Sequence, residues 1–217
     1  MHATRIYHEP REVVDRLAPF GITADEVMPL IEAVVAARND VVSVDARTAA
    51  GTKAYLAGVR HLRFLFLPKG WKADCKNGVE SVLHVETGMR IVYQSVDQAC
   101  VRVRGPQAIN GKGPAAEAAV RKGQGMLFSA EDLPEIAPER IANLNASLWF
   151  LCVSVSEDDD EDIRAELSLP AAIEKGNFKG FLERIFIFKR GDWKSQVPLE
   201  GAPEDDHAYE FSITRKA

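Results

Sequence analysis

An α+β fold is predicted by three observations: helix-spaced apolar residues in the N-terminal segments, one hairpin signature near the middle, and alternating apolar segments toward the C-terminus. Helices come first and strands follow in runs, which argues against repeated βαβ units.

Residues 10–17 read as a short helix with Val13, Val14 and Leu17 on one face and Gly21 as its stop. The second helix carries a stronger start signal. Thr23 and Glu26 have capping-box spacing, Val27, Leu30, Ile31, Val34 and Val35 recur at helical intervals, and Asn39 supplies a stop. Pro29 falls after the first turn, where it removes a hydrogen bond and favours a bend. A third helix is predicted over residues 48–56, closed by Gly58. Residues 62–67 then read as a strand that Pro68-Lys69-Gly70 turns.

The hairpin is marked by Glu86-Thr87-Gly88, which separates Val82-Leu83-His84-Val85 from Met89-Arg90-Ile91-Val92-Tyr93. A glycine in so short a loop supplies the positive φ that the connection needs. Residues 100–104 alternate Val101 and Val103 with Arg102 and Arg104, predicting a strand with two guanidinium groups on one face. Residues 148–155 are apolar enough for a central strand, and residues 163–169 alternate as a half-exposed one. Residues 183–188 and 209–214 complete a predicted antiparallel sheet, with Lys189-Arg190-Gly191-Asp192 as a turn. This divides the chain into a helical N-terminus plus basic α/β region over residues 1–128 and a β-meander over residues 139–217. The two parts form one continuous domain, or two that meet in the Pro-containing stretch 129–138.

Composition excludes several classes. The chain has 217 residues, of which 46% are hydrophobic and 27% charged, enough apolar material to bury a core and too much for a disordered segment. Residues 1–10 lack the apolar run of a secretory signal, and the longest apolar run, residues 148–153, is far short of the ~18 residues of a spanning helix. A cytoplasmic protein with no membrane association is expected. Cys75, Cys100 and Cys152 contain no C-x-x-C pair and read as small buried hydrophobes. Cys75, between Asp74 and Lys76, is the thiol whose neighbours suggest a lowered pKa. No histidine or cysteine spacing matches a metal site, so neither a metal nor a cofactor is expected.

Charge is distributed unevenly. Residues 47–122 carry 13 Lys/Arg against 5 Asp/Glu, a local +8, and the remainder carries 14 against 27, or −13, which together give the net −5 of the whole chain. Such a split points to an anionic partner on one face. Within the basic segment, Gly105-Pro106-Gln107-Ala108-Ile109-Asn110-Gly111-Lys112-Gly113-Pro114 leads into the alanine-rich run Ala115-Ala116-Glu117-Ala118-Ala119. Pro114 suits the first helical position with Gly113 as its cap, so the segment reads first as a helix entry. The amides of Gly111 and Gly113, with Lys112, also have the composition of a phosphate or carboxylate cradle. The spacing is not that of a Walker A loop, because Gly105 and Gly111 enclose five residues and Gly113 follows the lysine where Ser or Thr is required.

Aromatics interleave with cations at Arg60-His61-Leu62-Arg63-Phe64 and at Lys69-Gly70-Trp71-Lys72. Phe64 and Phe66 share a strand parity with Leu62 and are assigned to the core. Trp71, after a turn, is the candidate platform for stacking a base, with Lys72, Arg90, Arg102 and Arg104 to meet phosphates. A metal-dependent nuclease arrangement is imitated by Glu166 and Asp192-x-Lys194, but Asp192 sits in a turn and the neighbouring acids repel DNA. Glu80, His84 and Glu86 are the acid or base candidates for a competing reading, an enzyme acting on a phosphorylated or nucleotide substrate. The acidic run Glu157-Asp158-Asp159-Asp160-Glu161-Asp162 reads as a solvated loop, with docking of a basic protein partner as its functional alternative.

Gly70-Trp71-Lys72, Asn77-Gly78-Val79-Glu80, Glu86-Thr87-Gly88, Ile91-Val92-Tyr93-Gln94, Asp97-Gln98-Ala99-Cys100 and Gly111-Lys112-Gly113-Pro114 together resemble uncharacterised proteins of bacterial integrating and conjugative elements. The resemblance covers roughly residues 60–120, with a weaker echo over residues 149–166. It implies a bacterial protein associated with mobile DNA and implies no reaction. The expected function is a non-enzymatic binding module whose basic middle engages nucleic acid or another phosphate-bearing ligand. A third possibility is an interaction protein of a mobile-element or defence complex.

Overall fold

The computed structural model describes residues 4–76, 78–109, 116–118, 120, 147–156, 159 and 162–193. The α+β class is as expected. Strand β1 (Arg5–Tyr7) precedes helices α1 (Pro10–Leu17), α2 (Ala24–Asn39) and α3 (Ala49–Phe66). Strands β2 (Lys72–Lys76), β3 (Val79–Leu83), β4 (Arg90–Ser95), β5 (Leu148–Val155), β6 (Ile163–Pro170), β7 (Ile173–Glu174), β8 (Asn177–Phe178) and β9 (Phe181–Phe188) follow.

Helix α1 starts at Pro10 and buries Val13 and Leu17, one turn apart. Val14 lies about 100° further around and faces solvent, so the predicted three-residue face has two members. A 3₁₀ turn over Ala18–Phe20 then ends at Gly21, whose φ of 70° suits glycine. Both bonds of the α2 capping box are formed: Glu26 N donates to Thr23 Oγ1 at 3.3 Å, and Thr23 N donates to the Glu26 carboxylate at 2.9 Å. The helix continues past Pro29 to Asn39.

Helix α3 corrects two expectations, since Gly58 does not end it and residues 62–67 are not a strand. Gly58 is buried in mid-helix, where the Tyr93 ring rests so close to its Cα that no Cβ fits between them. Leu62 and Phe66, four residues apart, satisfy a strand parity and a helical face equally. Phe64 separates the two readings: a strand would bury it with them, but it is 63% exposed. Pro68 and Lys69 do make a turn, one that closes a helix at Gly70.

Seven strands form one mixed sheet in the order β1-β9-β6-β5-β4-β3-β2, and β7 pairs with β8 separately. The hairpin lies where expected, with Val82 opposite Ile91 and Leu83 opposite Arg90 in β3 and β4. The C-terminal strands β5, β6 and β9 pair antiparallel with one another as expected, but they belong to a larger mixed sheet. β5 runs parallel to β4, with Tyr93 beside Leu151, and β1 runs parallel to β9. The sheet therefore continues directly from the basic region into the C-terminal strands. The predicted junction 129–138 and the predicted strand 209–214 lie outside the described residues.

Two apolar clusters cover the two faces of this sheet. On one, Ile91, Tyr93, Trp149, Leu151, Ile185 and Ile187 pack with the buried residues of the three helices. On the other, Val92, Phe150 and Cys152 pack with Val96, Ala99, Ala116, Ile173, Phe178 and Phe181. Both central strands are thus closed to water, and each fully buried large side chain contributes roughly 1.5–3 kcal/mol.

Candidate anion-binding surface

Strand β2 is the last strand of the sheet, with no strand beyond it among the described residues. Its register places Lys72 opposite Leu83, which is itself opposite Arg90, so the two cations flank one leucine across three strands. By the period of two, Lys72, Asp74 and Lys76 share this face. Arg90 Nε donates to Asp74 Oδ2 at 2.8 Å, so these two charges neutralise each other. Lys72 and Lys76 are exposed, and neither makes an ion pair with any described residue. Ala73 and Cys75 take the opposite face, where Cys75 stands across from Glu80. A hydrogen bond with Glu80 is the main cause that raises the Cys75 thiol above its ordinary range, which corrects the lowered pKa expected from Lys76. Glu80 in turn is bound by Arg63 of α3.

Trp71 is not an exposed platform. It is buried, with its ring 4.7 Å from Phe66 and 5.1 Å from His84. The turn that precedes it folds the chain back, and Trp71 N reaches Phe66 O at 3.4 Å. Phe64 and Tyr55 are the exposed aromatics among the described residues of the basic region, and the Phe64 ring meets His61 edge-on at 5.3 Å.

Arg102 and Arg104 are exposed, but residues 101–104 are irregular and not a strand. The loop is pinned at its backbone. Arg184 Nη1 donates to Val101 O at 2.8 Å and Arg104 O at 3.2 Å, and the Phe181 ring packs where a Cβ of Gly105 would stand. Arg104 pairs with Asp97. The loop sits over β6 and β9, and three strand spacings, about 14 Å, separate β9 from the β4 that carries Arg90. The structure thus brings Lys72, Lys76 and Arg90 together and holds Arg102 and Arg104 apart from them. Gly111, Lys112 and Gly113 lie outside the described residues.

Ion pairs shrink the positive charge that the basic segment exposes. Lys53 meets Asp40 and Asp45, Arg63 meets Glu80, Lys69 meets Glu26, Arg90 meets Asp74 and Arg104 meets Asp97. Arg47, Arg60, Lys72, Lys76 and Arg102 are exposed and make no such pair among the described residues.

The residues proposed for acid-base work do not converge. Glu80 is held by Arg63, His84 Nδ1 accepts from Thr87 N at 3.4 Å, and Glu86 is exposed in the hairpin loop. A depression of about 240 Å³ lies elsewhere, lined by Val14, Ala18, Gly21, Ile22 and Thr23, none of them titratable. The two acids of the nuclease arrangement are not set out for a metal, and its Lys194 lies outside the described residues. Glu166 is fully buried, and Asp192 Oδ2 accepts from Lys189 N at 2.8 Å within its turn. Among the described residues no group of three His, Cys, Asp or Glu side chains is placed to hold a metal ion.

A buried polar cluster lies where the sequence predicts a half-exposed strand over residues 163–169: Arg164, Glu166 and Ser168 are buried under the loop that follows β4. Glu166 accepts from Arg184 Nε at 2.8 Å, Arg184 Nη2 at 2.7 Å, Ser168 Oγ at 2.6 Å and the Cys100 amide. Cys100 adopts a φ of 57°, and its thiol donates to Ala165 O and Phe188 O, each at 3.2 Å. Burial, and then the Glu166 charge, push that thiol well above its ordinary pKa. The cluster fastens the loop to the sheet. Its signal in the sequence was an acid in β6 and a base in β9, each set among apolar residues. In the acidic run, Asp162 receives two hydrogen bonds from Arg164 and Asp159 pairs with Arg190, while its other four residues lie outside those described.

No protein-family model, curated protein or solved structure matches the chain. No helix of the described residues is long and apolar enough to cross a membrane.

Proposed function

We propose that this chain is a non-enzymatic binding module that holds nucleic acid, or another phosphate-bearing ligand, against the β2 edge of its sheet. The observation that carries this reading is that Lys72 and Lys76 project from the outermost strand, and neither pairs with an acid among the described residues. Two exposed ammonium groups four residues apart on one strand face lie about 13 Å from each other, open to a ligand rather than enclosed. Arg90 supplies a third cation beside them once phosphate competes for its carboxylate partner. Arg102 belongs to a loop on the same face of the sheet, over β6 and β9, and offers a separate contact there. The sequence resemblance to proteins of bacterial mobile elements is what favours DNA traffic as the setting of this proposed activity.

Fluorescence anisotropy with labelled single-stranded DNA, duplex DNA and RNA over a range of salt concentrations tests the proposal. Affinity should fall linearly on a log-log plot, and Lys72→Ala with Lys76→Ala should reduce the slope on single strands by about 1.4, at roughly 0.7 per neutralised phosphate. Both side chains are exposed, so the fold should be unchanged. Absent binding, or binding indifferent to salt or to the double substitution, would remove this reading.

A further inference from the structure

Strand β2 turns one row of backbone groups away from the sheet, and hydrogen bonds further in fix which groups those are. Arg90 N donates to Ser147 O and His84 N donates to Met89 O, each at 2.9 Å, so even residues of β4 bond toward β5 and odd ones toward β3. Val82, opposite Ile91, therefore bonds toward β4, and its neighbours Ser81 and Leu83 bond toward β2. Their partners Asp74 and Lys72 bond inward, which leaves the N–H and C=O of Ala73 and Cys75 pointing out of the sheet. Both residues are exposed, and no described strand lies beyond them. Such an edge is a template for one more strand.

An antiparallel strand added there sets one residue opposite each of Lys72, Asp74 and Lys76, at the positions where facing side chains stand closest. The two lysines have no acid partner among the described residues, and Asp74 is held by Arg90. The fitting sequence is therefore acid, any, non-acid, any, acid, with a backbone N–H at both intervening residues to meet Ala73 and Cys75. Acids stand four apart at seven places in the chain. Residues 131–135, 135–139 and 200–204 each carry a proline, Pro134, Pro138 or Pro203, where the N–H is needed. Residues 157–161 and 158–162 set a third acid against Asp74, and residues 162–166 run into β6, which is paired on both sides. Asp206-His207-Ala208-Tyr209-Glu210, outside the described residues, is the one that remains. It also lies within reach. β9 and β2 run in the same direction, so the chain passes Trp193 at the end of the sheet where Lys76 lies. A strand beyond β2 is six strand spacings from β9, about 29 Å, and the chain from Trp193 to Asp206 spans up to about 43 Å. We propose that residues 206–210 dock antiparallel on β2, with Asp206 opposite Lys76, Ala208 opposite Asp74 and Glu210 opposite Lys72. The two carboxylates then compete with phosphate for the same two lysines, and the segment acts as a brake on the site. Docking needs no ligand, whereas the brake rests on the function proposed above.

Hydrogen exchange on the full chain without nucleic acid tests the docking. The Ala73 and Cys75 amides should exchange at least about tenfold more slowly in wild type than in Asp206→Lys with Glu210→Lys, whose cations oppose Lys76 and Lys72. Ala208→Asp sets an acid against Asp74 and should speed the same two amides, while β5 keeps its protection in every variant. Unprotected Ala73 and Cys75 amides in wild type overturn the proposal. So does protection that survives the lysine substitutions, and if it grows with protein concentration the occupant is a second copy. The brake has its own readout. Ala208→Asp adds a negative charge, which alone weakens binding to DNA, yet by releasing the segment it should bind single-stranded DNA about fivefold more tightly than wild type at low salt. Faster exchange without tighter binding overturns the brake and leaves the docking standing. Protected amides in a chain that binds no nucleic acid or phosphate overturn the proposed function and not the docking.

Discussion

At the scale of single residues, burial decides more than residue type. Trp71 and Phe64 both sit beside cations in the sequence, and the larger ring is the one that is buried, because the Gly70 turn folds Trp71 back onto Phe66. Tyr93 shows what such enclosure does to a titratable group. Its ring is wholly buried, its hydroxyl lies 3.1 Å from Ser95 Oγ, and burial is the main cause pushing its pKa up to about 12. The unfolded chain ionises this phenol near the ordinary value of about 10. A pKa raised by folding means that the stabilising contribution is complete below about pH 10 and disappears as pH climbs toward 12. The loss amounts to about 3 kcal/mol, at roughly 1.4 kcal/mol per unit. Urea unfolding at mildly and strongly alkaline pH should show this decline in the wild type and a shallower one in Tyr93→Phe. Equal declines would mean that other groups carry the alkaline sensitivity.

At the scale of elements, local signals were legible where a single segment contains its own partners. The capping box of α2, the Gly88 hairpin and the turn after β9 each make their bonds within a few residues, and each appears where the sequence placed it. The identity of α3 was not legible, because Gly58 has a reason to be there that lies thirty-five residues away in Tyr93. The mixed sheet was hidden for the same reason, since the parallel pairing of β4 with β5 crosses a long segment. Substitution separates the two roles a helical glycine can have. Gly51, also in α3, has nothing within 4 Å of where a Cβ would stand, so Gly51→Ala should stabilise by about 0.5–1 kcal/mol through helix propensity alone. Gly58→Ala gains the same propensity but drives a methyl into a fully buried ring, and overpacking of this kind costs about 1–3 kcal/mol. Denaturant midpoints should move in opposite directions for the two variants. A stabilised Gly58→Ala would mean that Tyr93 yields freely.

At the scale of the whole molecule, the pair of Glu166 and Arg184 joins three parts of the chain distant in sequence. Its acid comes from β6, its base from β9, and the Cys100 amide and the Val101 and Arg104 carbonyls from the loop after β4 all bond to it. Alternation in β6 was read as exposure because polarity in a sequence shows what a side chain is, and only the fold shows what satisfies it. Removing one member should therefore be costly: Arg184→Met leaves a carboxylate buried without its partner, a loss of about 3–5 kcal/mol in other proteins. Glu166→Gln keeps the shape and part of the bonding, and should cost less. The double variant Glu166→Leu with Arg184→Met buries no charge and should recover much of the stability lost in Arg184→Met alone, although the loop loses its anchor. Hydrogen exchange distinguishes these two effects. Amides of Cys100 and Gln107, bonded to Glu166 and Asp97, should exchange faster in the double variant than in wild type, while those of β5 keep their protection. Unchanged exchange at Cys100 would show that Phe181, the Cys100 thiol and the apolar residues beneath the loop hold it without the ion pair.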